Sequence, residues 1–162
     1  MDIEQWNDLF VASAGAAAAL AGLLIVAMSV NVQVIISIPS MVSRAGAAIA
    51  SLVLIVVVST CALIPDQPAV ILGLEILAAS AAALAIAVDS AVRIVRFGAT
   101  NSRASALAKG AIAAAPVFLF LVGGGLLYAE VSTGLYWLAS GIVTGFVVSV
   151  LNAWVLLIEI LR

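Results

Sequence analysis

The sequence predicts an all-α, polytopic membrane protein of five transmembrane helices, with its N-terminus outside and its C-terminus cytoplasmic. Three observations carry that expectation. Hydrophobic residues make up 66% of the chain and charged residues only 9%, with a mean hydropathy of +1.36. A soluble domain of 162 residues needs a polar skin that this composition cannot supply. The apolar residues also gather into five runs, each close to the roughly 20 residues that a helix needs to cross a bilayer. Finally, five spans put all six Lys and Arg on one side, which the positive-inside rule makes cytoplasmic.

The first span covers about 9–30 and is alanine-rich. It follows an acidic start, MDIEQWND, which argues against a cleavable signal peptide because such peptides begin with basic residues. Gly15, Ala19, Gly22, Val26 and Ser29 recur at helical spacing and form a small-residue stripe. The second span, about 45–64, is valine-rich and follows Pro39. PDQP at 65–68 predicts a tight hairpin into the third span, about 69–88, because prolines belong in connections. Along the third span Glu75, Ala79, Ala82, Ile86, Asp89, Arg93 and Arg96 share a face. The cytoplasmic loop 93–110, RIVRFGATNSRASALAKG, carries four positive charges and no negative one. It reads first as a topology determinant. Contact of Arg93, Arg96, Arg103 and Lys109 with anionic lipid or a cytoplasmic partner is its second reading.

The fourth span, about 111–129, contains Pro116, where a kink is expected. Its Gly123-Gly124-Gly125 should weaken the helix locally. In the fifth, about 134–158, Leu138, Gly141, Gly145, Val148, Asn152, Val155 and Glu159 lie on one face, with Gly141 and Gly145 forming GxxxG. Such small faces pack either within the monomer or between identical subunits. A bundle this thin makes a homo-oligomer a reasonable expectation. Trp6, Tyr128, Tyr136 and Trp137 fall at outer span ends and Trp154 toward the inner one, as aromatic belts require. The whole of 1–162 reads as one transmembrane domain.

Several function classes lack their residues. Histidine is absent and Cys61 is the single cysteine, so there is no intramolecular disulfide, no cysteine-based zinc site and no Ser-His or Cys-His pair. HExxH, GxSxG, paired intramembrane aspartates and phosphate-binding glycine loops are missing as well. The expectation is a chain that is not an enzyme, takes no cofactor or metal, and binds no nucleic acid.

Polar residues separate by depth. Asn31, Gln33, Arg44, Asp89, Arg93, Asn152, Glu159 and Arg162 lie near the cytoplasmic boundary, where snorkelling and pairing are available. Asp89 and Arg93 are spaced for an i, i+4 pair, and Glu159 is within reach of Arg44 or Arg162. Glu75 is different. In the run LGLEIL it sits roughly 10 Å into the third span at 1.5 Å per residue, with no Lys or Arg on its side. An unpartnered ionised carboxylate there would cost several kcal/mol. Two solutions stand open: a hydrogen bond from Glu75 to Ser59 or Thr60 across the hairpin, or a Glu75 that faces water.

WNDLFVASAGAAAALAGLLIVAMSVNV, SRAGAA, PDQP, LGLEIL and GLYWLASGIV with LNAWVLLIEILR together resemble a family of small integral membrane proteins of actinobacterial type. Some members are labelled modulators of a membrane protease. The likeness covers most of the chain except the basic loop and the fourth span, and departs at Ser43, where members carry glycine. It implies a bacterial inner-membrane location, draws attention to Glu75, Asn152 and Glu159, and supplies no catalytic residue.

Three functions follow from these features. The first is a homo-oligomeric scaffold or accessory subunit that docks by its small faces on a larger membrane complex. The second is an oligomeric cation channel, with Glu75 near the outer mouth and Asp89 about 21 Å away near the inner one. The third is a carrier for a small hydrophobic or cationic molecule.

Overall fold

A computed structural model of the chain describes residues 3–37, 39–97 and 103–160. Every regular element among them is helical. A 3-10 turn, Ile3–Trp6, leads into α1 (Asn7–Val30), followed by the short α2 (Val32–Ser37), α3 (Pro39–Ala62), α4 (Ala69–Phe97), α5 (Arg103–Tyr128) and α6 (Gly134–Ile160). Each of the five long helices carries one of the five apolar runs of the sequence, but the loop expected over 93–110 is corrected: α4 runs on to Phe97 and α5 already starts at Arg103, because the Arg, Ala, Leu and Lys of that stretch are good helix formers. Three stretches, Ile3–Val30, Ala45–Ala62 and Gly134–Val155, are long and apolar enough to cross a membrane. The apolar stretches Ala69–Ala85 in α4 and Ala114–Tyr128 in α5 are shorter among the described residues.

Packing follows the order of the chain. Helix α3 packs on α4, α4 on α5, α5 on α6, and α6 back on α3, which closes a ring of four. Helix α1 lies outside this ring against α3, with slight contact to α6. One cluster fills the interior, with Phe10 and Ala17 of α1, Leu52, Ile55 and Val58 of α3, Leu72 and Ile76 of α4, Phe120 of α5 and Leu138 and Ile142 of α6. Outside, Leu23, Val26, Phe118, Val143, Leu151 and Trp154 are more than half exposed. Only 22% of the apolar window of α1 is buried, so most of its surface needs an apolar surrounding. That is the signature of helices that take lipid as solvent.

Glycine sets how closely the ring closes. An added Cβ at Gly73 of α4 would meet Tyr128 N at 2.5 Å and Gly124 O at 2.7 Å, both backbone atoms of α5. On α6, an added Cβ at Gly134 would meet Gly123 O at 2.8 Å, Gly141 lies under the Phe120 ring and Gly145 under Ile55. The GxxxG pair is therefore spent within the monomer, on α5 and α3. Helix α5 runs without a break through Pro116 and through Gly123-Gly124-Gly125. Two of those glycines are contact points, since Gly123 faces Leu138 of α6 and Gly124 faces Ile76 and Leu77 of α4, while nothing lies within 4 Å of a Cβ at Gly125. The weak spot expected from the sequence is instead a seam, because a residue without a side chain lets two backbones meet. Gly15 and Gly22 behave in the opposite way. Nothing approaches within 4 Å of a Cβ at either, and Gly15, Ala19, Gly22, Val26 and Ser29 are all exposed.

Two tight turns join the hairpins. Helix α5 ends in a Schellman motif, in which Val131 N–H donates to Leu126 O (2.8 Å) and Glu130 N–H to Leu127 O (2.9 Å). Glu130 takes φ 58° there, and Asp66 in the PDQP turn takes φ 56°. Asn31 marks the break after α1, with its Nδ2 donating to Ala27 O at 3.0 Å. The side chains of Arg44, Asp89, Arg93, Arg96, Arg103, Lys109 and Glu159, and residue Arg162, lie outside the described residues, so the pairs expected for Asp89 and Glu159 and the lipid contact of the basic loop do too.

Candidate functional site

The PDQP turn brings the last turn of α3 against the second turn of α4, and a small polar group forms in the seam. Gln67 Nε2 donates to Glu75 Oε2 at 2.8 Å. The Cys61 thiol, half-buried, lies within hydrogen-bonding reach of the same carboxylate. Gln67 Oε1 is inaccessible and has no hydrogen-bond partner. The carboxylate is half-buried, on the flank of α4 that adjoins α3.

The expected partners of Glu75 are thus corrected. Thr60 Oγ1 donates back to its own helix, to Val56 O at 2.8 Å and Val57 O at 3.0 Å. Ser59 Oγ is buried without a partner. A hydroxyl on a helix has its own carbonyls within easy reach, whereas the longer Gln67 extends back from the turn to the carboxylate. Sequence reasoning passed over Gln67 and Cys61. The signal available was the turn itself, since a hairpin that folds at 65–68 must set residues just before it beside those just after it.

The other candidate residues are dispersed. Ala79 packs against the core beside Glu75, while Ala82 is exposed, so the supposed stripe of α4 divides between a helix seam and the outer surface. Leu138, Gly141, Gly145 and Val148 of α6 are buried as one face, and Asn152 continues it half-buried. Ser149 Oγ on the adjoining flank donates to Ala48 O of α3 at 3.4 Å. Two further hydroxyls, Ser51 and Ser80, are buried without partners inside the ring. Among the described residues no group of three or more His, Cys, Asp or Glu gathers as a metal site.

The end of the bundle near Glu75 is acidic and aromatic. Trp6 stacks edge-on against Tyr136, with centroids 4.8 Å apart at 89°, which ties the start of α1 to the start of α6. The two turns lie at this same end, since Gly73 meets Tyr128 and Gly134 meets Gly123. Glu4, Asp8, Asp66 and Glu130 are all exposed there.

Fold and site together define an all-helical protein with helices apolar enough to span a membrane and one polar seam between α3 and α4. Compared with family models, curated proteins and solved structures, the chain matches none of them.

Proposed function

We propose that this chain is a five-span, non-enzymatic scaffold or accessory subunit of the bacterial inner membrane, N-terminus out and C-terminus in, that assembles with copies of itself or with a larger membrane complex. The observation that supports it most is where Glu75 spends its carboxylate. Gln67 donates to it and Cys61 adjoins it, all within one chain and at one helix seam. A carboxylate held in this way fastens a hairpin, whereas a pore-lining ring needs it turned toward an axis between subunits. The outward small face of α1, with Gly15 and Gly22 open, is compatible with docking by close backbone approach.

A cation pathway is the second reading, favoured by the exposed Glu4, Asp8, Asp66 and Glu130 around the same end, which would concentrate cations. Flux through proteoliposomes separates the two. The scaffold reading expects cation flux equal to that of protein-free vesicles, together with co-purification of a defined membrane partner. Flux that requires the purified chain and disappears in Glu75→Gln would reverse the choice.

A further inference from the structure

We draw no further inference here: the strongest candidate, the outward face of α1 through Gly15, Ala19, Gly22, Val26 and Ser29, is an exposed small-residue stripe, and nothing in the structure shows what covers it.

Discussion

Replacing Gly73 with alanine tests how the ring is held together. The new Cβ would stand 2.5 Å from Tyr128 N, 2.7 Å from Gly124 O and 2.9 Å from Tyr128 Cα. All three are backbone atoms, so no rotamer change can clear them. Ordinary contact begins near 3.4 Å, so α5 would have to retreat by about 0.9 Å. A rigid helix that retreats there loosens its neighbours as well, Ile76 and Leu77 against Gly124. Overpacking of this kind costs about 1–3 kcal/mol, and a backbone clash belongs at the upper end. Against it stands the helix propensity of alanine, worth up to about 1 kcal/mol over glycine. The net expectation is a loss of about 2 kcal/mol. Gly46→Ala in α3 is the matched control, since nothing lies within 4 Å of its Cβ and only the propensity gain of up to about 1 kcal/mol remains. Reversible unfolding in mixed micelles, followed by helical circular dichroism, should separate the two variants by about 3 kcal/mol. If they agree within about 0.5 kcal/mol, the close approach of α4 to α5 is wrong.

Three smaller tests bear on other parts of the molecule. Glu130→Gly should stabilise by about 1 kcal/mol, because it removes a side chain from a left-handed helix cap where glycine is the usual residue; a lower melting temperature would contradict the Schellman geometry. Ser80→Ala removes a buried hydroxyl that has no partner and should be neutral or stabilising by about 1 kcal/mol in the same unfolding assay. A clear loss of stability would reveal a hydrogen bond at that hydroxyl. Trp6→Ala should cost about 0.5–1.5 kcal/mol beyond its buried area through the lost contact with Tyr136. Faster amide exchange confined to the first turns of α1 would report it, and unchanged exchange would argue that the stack does not anchor the N-terminus.

The helices were legible in the chain because lipid-scale apolar runs and proline turns are local signals. The face of α6 through Leu138, Gly141, Gly145 and Val148 was legible for the same reason, since helical spacing alone aligns it. The use of each glycine was not. Gly15 and Gly141 look alike in sequence, yet one faces open space and the other lies under an aromatic ring. Spacing says which residues share a face and is silent on what that face meets. The surroundings of Glu75 show the same limit. Its isolation from Lys and Arg followed from sequence order, but its partners depended on how the turn at 65–68 set one helix against the next.

Composition and periodicity by themselves determined that this chain is helical, which five apolar runs its long helices carry, and that Glu75 needs a partner, while of the five spans they predict three stretches are long and apolar enough to cross a membrane. Those are properties of a residue and its near neighbours along one helix. Tertiary structure alone decided that α1 stands outside a ring of four, that α5 is gripped on two sides through Gly123 and Gly124, and that Gln67 reaches back to the carboxylate. Each of these depends on the rotation of one helix about its axis relative to another, and that angle is set by the joint packing of every helix in the bundle.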